Sequence, residues 1–435
     1  MKIQVGKLKV LALAAIIAVS VILTTPGISL LIGNYVISTS GSISQGPSAA
    51  GPLHTEGKYV KDSTGQVIFL RGGWVPVFED TCNARAALPG EIWNSYTSTR
   101  TWRAEAVNTL LDEAVSWGMN SIATFIWIDW WIYNSQTELG VSRSTIVTDR
   151  PYQQNIAEFL TLAEAKGIYV QIRPYGTEAG YGGTGEGRVL FPYPAGSYTH
   201  AGHILPDRLS FANFWADVAT KLAHHPNVIF NLYDEPVINN INEWFEASAL
   251  SIQKIREAET AAGGYKHLIQ IHWAFCGPST WIGDWITFAQ SRGVDLGNII
   301  YSNHIYRDQG WGAEDTFGPP PYPYDYATQK AILQYKAGDP NIPDPYKPYG
   351  RAWKYIIDTY NVPIVATFGA NTGWTNDQEY QSFQNVASIL NEWEVGYWVY
   401  VWYRTGMIWS IVNDEPVVSS PNRVGQALID AISAG

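Results

Sequence analysis

The chain has 435 residues, 46% of them hydrophobic. That suits one barrel domain of roughly 250 to 400 residues and leaves too little chain for a second full domain. Charged residues make up only 15% and the net charge is -11, which excludes the clustered Lys and Arg of a phosphate-gripping surface, so nucleic acid is not an expected partner.

Lys2, Lys7 and Lys9 precede an uncharged apolar stretch from Val10 to Gly33, the pattern of an export signal. Val10 to Leu23 has the length of a cleavable signal core, whereas the whole stretch is long enough to anchor in a bilayer with the lysines inside. Residues 1–37 are therefore read as a signal peptide or membrane anchor, and the bulk of the chain as extracellular. The run STSGSISQGPSAAGP, residues 38–52, is rich in Ser, Gly and Pro and reads as a flexible linker.

The folded domain is expected over 53–435. Its opening, LHTEGKYVKDSTGQVIFLRG, alternates and turns around Asp62 to Gly65, as a β-hairpin followed by a strand would. Eight short apolar, β-branched runs then alternate with longer amphipathic ones: Val67 to Gly73, Asn120 to Trp127, Tyr169 to Tyr175, Val228 to Pro236, His267 to Trp273, Asn298 to Tyr306, Pro363 to Ala370 and Gly396 to Tyr403. Helices are expected over Trp102 to Trp117, Tyr152 to Lys166, Phe211 to His225 and Tyr380 to Trp393, and glycines 118, 167 and 297 punctuate the return to strand. Eight strands with helices between them predict an α/β fold, a closed parallel (β/α)8 TIM barrel. The long connections after the third and sixth strands, Gly176 to Asp207 and Arg307 to Tyr349, are rich in Gly, Pro and Tyr and suit a binding face.

Chemistry in such a barrel collects where strands end. The fourth strand ends in VIFNLYDEP, and the acids Asp234 and Glu235 at a strand end point to proton transfer, with helix capping as the plainer alternative. Aromatic residues are abundant, and flat rings with a polar edge suit the faces of sugar rings; Trp74, Trp127, Trp130, Trp131, Trp273, Trp311 and Trp374 are the candidates, with core or loop packing as the plainer alternative for each. Only Cys82 and Cys276 occur, which allows one disulfide or two free thiols. No metal site or cofactor is expected.

The hairpin opening, FANFWADVATKLAHHPNVIFNLYDEP, NIIYSNHIY, PIVATFG and the aromatic run of the eighth strand follow one another in an order that resembles glycoside hydrolase family 5, the cellulase family of retaining β-glycanases, over Leu53 to Ile432. The resemblance implies that Glu235 is the general acid/base. It further implies that His304 and Tyr306 form the His-x-Tyr pair of the sixth strand, and that Trp402, or Tyr400 two residues earlier, floors the sugar site. By strand parity Trp398, Tyr400 and Trp402 are expected on one face.

Four positions depart from the family pattern. Ala123 stands for the arginine of the second strand, Tyr175 for the histidine of the third, Asp234 for the asparagine before the acid, and Thr367 for the nucleophilic glutamate of the seventh. A threonine hydroxyl without an adjacent base does not replace a carboxylate nucleophile. Two functions therefore remain open. One is an extracellular β-glycan hydrolase using Glu235 with a second carboxylate such as Glu79, Asp129, Glu178 or Asp308. The other is a catalytically silent barrel that binds surface polysaccharide or serves a structural role.

Overall fold

The computed structural model describes residues 30–32, 35–37, 50–75, 91–94, 99–133, 147–148, 150–175, 205, 207–233, 241–272, 281–306, 323–369, 377–400, 402 and 421–435. The chain separates into two compact units, Met1–Ser48 and Ala49–Gly435. In the first, Leu30–Ile32 pairs antiparallel with Tyr35–Ile37. The last part of the expected membrane segment is therefore a strand. Among the described residues no helix is long and apolar enough to cross a membrane; residues 1–29 lie outside them.

In the second unit the barrel elements run in chain order as β1 (Arg71–Trp74), α1 (Ala104–Ser116), β2 (Ser121–Trp127), α2 (Ile128–Tyr133), α3 (Tyr152–Ala165), β3 (Tyr169–Tyr175), α4 (Arg208–Lys221), β4 (Val228–Asn231) and α5 (Ile241–Ala262). They continue as β5 (Leu268–His272), α6 (Trp281–Ser291), β6 (Ile299–Ile305), α7 (Tyr326–Gln334), α8 (Trp353–Tyr360), β7 (Ile364–Phe368), α9 (Asp377–Glu392), β8 (Gly396–Val399) and α10 (Arg423–Ala434). The eight strands close into one parallel barrel, with β8 pairing β1 and β1 pairing β2. Each lies within or beside an expected run, so the fold class stands as read.

Local chemistry explains the boundaries. α1 and α3 stop at Gly118 and Gly167, whose positive φ values of 76° and 73° turn the chain back toward the next strand. At the third such junction the left-handed residue is Asn298 (φ 62°) and not Gly297; its side chain accepts from Thr55 N–H (3.1 Å) and donates to the Lys266 carbonyl (2.7 Å). α4 starts three residues before its apolar run because Asp207 and Ser210 form a reciprocal capping box.

The opening segment makes two turns where one was expected. His54–Glu56 pairs with Tyr59–Lys61 around Gly57 and Lys58, and the expected turn at Asp62 to Gly65 then bridges Lys61 to Val67. The linker also ends earlier than its composition suggests: Ala50 is buried, and its N–H donates to the Glu164 carbonyl at 3.0 Å.

Candidate active site

Parallel partners in register share a face, so the inward face of the barrel can be followed strand by strand. Trp74 pairs with Ala123, Ala123 with Gln171, and Phe125 with Arg173. Asn231 pairs with Gln270, His272 with Ser302, His304 with Thr367, and Thr367 with Trp398. A hydrogen bond crosses this face directly, because Trp74 Nε1 on β1 donates to Thr367 Oγ1 on β7 at 3.2 Å. Toward the C-terminal strand ends the inward residues are Trp74, Phe125, Arg173, His272, His304, Thr367 and Trp398.

One wall is a run of rings set edge to face. His272 and His304 lie 4.7 Å apart at 84°, His304 and Tyr306 5.3 Å apart at 79°, and Tyr306 and Tyr400 6.3 Å apart at 82°. Such contacts hold each ring at a fixed tilt. Tyr400 is half-buried at the rim, and its N–H donates to the Phe368 carbonyl at 2.8 Å. His304, Tyr306 and Tyr400 are thus brought together at one edge of the mouth.

Trp402 is elsewhere. It is fully buried, its ring centroid lies 5.8 Å from that of Trp117 at the end of α1, and a Cβ on Gly73 would stand 2.5 Å from its own Cβ. Gly73 alternates with the inward Gly72 and Trp74, so Trp402 occupies the helix side of the wall. The expectation that Trp398, Tyr400 and Trp402 share a face is corrected. Strand geometry ends at Val399 and Tyr400 begins a turn, so parity no longer applies two residues on.

Thr367 is buried, and its hydroxyl is engaged by Trp74. Asp234, Glu235 and Trp374 lie outside the described residues, as do Glu79, Glu178, Asp308, Cys82 and Cys276. Tyr175 is the last residue of β3, paired with Trp127. Asp129 falls within α2. β4 ends at Asn231, and in sequence Asp234 and Glu235 follow three and four residues later.

Arg173 and His272 stand in no motif that the sequence singles out, and Trp74 stood only as one of several tryptophans able to line a sugar cleft. Arg173 is the cation of this face: its guanidinium carbon lies 4.5 Å from the Trp74 ring centroid and 4.0 Å from that of Phe125. The signal was present in YVQIRPY, where a charge inside a strand of a barrel wall is costly unless it has a task. The family pattern directed attention to an arginine on the second strand, where Ala123 stands. The third strand supplies one instead.

A family model described as Cellulase (glycosyl hydrolase family 5) matches residues 87–405. Among solved structures, the catalytic domain of the major endoglucanase from Xanthomonas campestris pv. campestris is similar with a TM-score of 0.59 at 13% identity, covering 88% of this chain and 100% of that one. A hyperthermostable endocellulase gives 0.56 at 17% identity over 89% and 100%. The catalytic domain of a mannanase from Streptomyces sp. SirexAA-E gives 0.50 at 17% identity over 90% and 93%. At these identities the likeness carries the barrel fold alone. A comparison with curated protein sequences gives no match.

Proposed function

The chain belongs to glycosyl hydrolase family 5, and from that premise we propose that it handles β-linked polysaccharide outside the cell at the C-terminal mouth of its barrel, with Glu235 as proton donor. The observation that carries this reading is the stepped row His304, Tyr306 and Tyr400, a rigid wall of rings with polar edges beside the end of β7. Endoglucanase and mannanase relatives make β-glucan and β-mannan the first polymers to test. Residues 1–37 serve as signal or anchor and deliver the domain to the outer side of the membrane.

In this reading Glu235 protonates the glycosidic oxygen as the bond to the anomeric carbon breaks. Retention of configuration needs a second carboxyl about 5 to 5.5 Å away as nucleophile, and Thr367 offers none. Cleavage by inversion needs instead a second carboxylate roughly 6.5 to 9.5 Å from Glu235, with the attacking water held between the two, and the loop acids are the candidates for it. The engaged hydroxyl of Thr367 also favours a second reading, in which the mouth binds glycan without cutting it.

Reducing-sugar release from β-glucan, mannan and xylan is to be measured for the wild-type chain and for Glu235→Gln, together with retention on the same polymers by affinity electrophoresis. The hydrolase reading expects release to fall about 100-fold or more in the variant while retention persists. Undiminished release removes Glu235 from the chemistry. Retention without release in the wild type establishes the binding-only reading, and neither retention nor release ends both.

A further inference from the structure

Thr367 has ring-bearing residues beside it on both neighbouring strands and one across the barrel. Trp74 Nε1 donates to its hydroxyl at 3.2 Å, His304 is its partner in register on β6, and Trp398 its partner on β8. Trp74 and Trp398 are fully buried. The Trp74 indole is itself held from behind, with the Arg173 guanidinium 4.5 Å from its centroid and the Phe125 ring 5.5 Å away. Phe125 in turn carries the same guanidinium at 4.0 Å. The Phe125 ring tilted at 39°, the guanidinium and the hydrogen bond to Thr367 together fix where the indole lies.

A glutamate carboxylate lies two bonds farther along the side chain than a threonine hydroxyl. Extended from position 367 toward the mouth's centre, it would meet the indole that now ends at hydrogen-bond distance from Thr367 Oγ1.

We propose that Trp74 is a plug: its indole fills the space at the end of β7 in which a nucleophilic carboxylate would stand, so that Trp74 and Thr367 form one packed unit. Arg173 and Phe125 are the buttress that fixes the plug. The idea takes the location of the sugar site from the function proposed above, but its packing claim is independent of it. Restoring the missing acid by a single substitution is then insufficient, because the obstacle is on β1 and not on β7.

The test is a double-mutant cycle in thermal stability on the full-length chain, using Trp74→Ala, Thr367→Glu and both together, with Thr367→Gln and Thr367→Ser as controls for length. Thr367→Glu and Thr367→Gln are each expected to lower Tm by several degrees while Thr367→Ser changes it little. In the Trp74→Ala background the cost of Thr367→Glu is expected to vanish or reverse. Equal costs in both backgrounds overturn the plug. Should Trp74→Ala fail to fold, Thr367→Gln decides alone, and a wild-type Tm for it overturns the plug.

Reducing-sugar release adds a second arm. The plug expects release to rise above the wild-type level in the double variant and not in Thr367→Glu. A rise in the single variant overturns the plug. No rise in the double variant, with the stability cycle as expected, leaves the plug standing and counts instead against Glu235 as proton donor.

Discussion

Gly73 and Trp402 pack against each other and keep the Trp402 ring off the inward face of the barrel. With no side chain on Gly73, the Trp402 ring lies against the outer side of β1; a methyl there would sit 2.5 Å from Trp402 Cβ, closer than packed carbons approach. Gly73→Ala should therefore lower stability by about 1 to 3 kcal/mol, measured by denaturant unfolding, because neither β1 nor the buried ring can give way without losing other contacts. An unchanged midpoint would mean that Trp402 is not held where its contacts place it. Gly72 has a separate reason to lack a side chain, since a Cβ would fall 1.7 Å from the Ser121 carbonyl oxygen on the neighbouring strand.

At the scale of elements, the barrel's N-terminal end is tied by polar contacts between segments far apart in sequence. The opening hairpin reaches across it: Thr55 exchanges hydrogen bonds with Asn298, while Lys58 and Tyr59 meet Glu394 beyond the end of α9 at 2.8 and 2.9 Å. The junction from α4 to β4 carries His225, whose carbonyl accepts from His267 Nε2 at 3.0 Å. Burial first, then the nearby charges of His267 and His224, push the His225 imidazole below its ordinary value of 6.5. As pH falls through that value the unfolded chain takes up a proton that the folded chain refuses, so the unfolded state binds more protons and stability declines. Between about pH 7 and pH 5 the wild-type Tm should thus fall more steeply than that of His225→Gln, with the two close together at the upper end. Parallel curves would show that His225 titrates alike in both states.

Across the whole barrel, a buried ion network and the ring wall proposed to meet glycan occupy opposite ends. At the N-terminal end Glu259 is buried and accepts from Arg256 Nη1 (2.7 Å) and His267 N–H (3.0 Å), with His267 Nδ1 at 2.8 Å. Arg256 also donates to the carbonyls of His267 and Gly297, which lead into β5 and β6. Removing the carboxylate strands two buried partners, so Glu259→Ala is expected to cost roughly 3 to 5 kcal/mol in unfolding free energy. Glycan retention by the fraction that remains folded should be unaltered, because the ring wall of His304, Tyr306 and Tyr400 stands at the other end. Loss of retention in folded protein would show that the two ends are coupled.

The sequence by itself determined the barrel, because burying one face of each short apolar run leaves few arrangements, and eight runs alternating with amphipathic helices satisfy that need by closing. It also marked His304, Tyr306 and Thr367 as site positions through the motifs NHIY and VATFG, while the register that sets His304 beside Thr367 came from the folded sheet. Only the tertiary structure decided that Trp402 packs against α1 and not over the mouth, because alternation holds only while a strand lasts and β8 ends at Val399. Only it, too, joined Trp74, Phe125, Arg173 and Thr367, residues up to 293 positions apart, into one packed group. Periodicity along the chain says which way a side chain points, but what it meets is settled by the curvature and closure of the sheet, and those are properties of all eight strands at once.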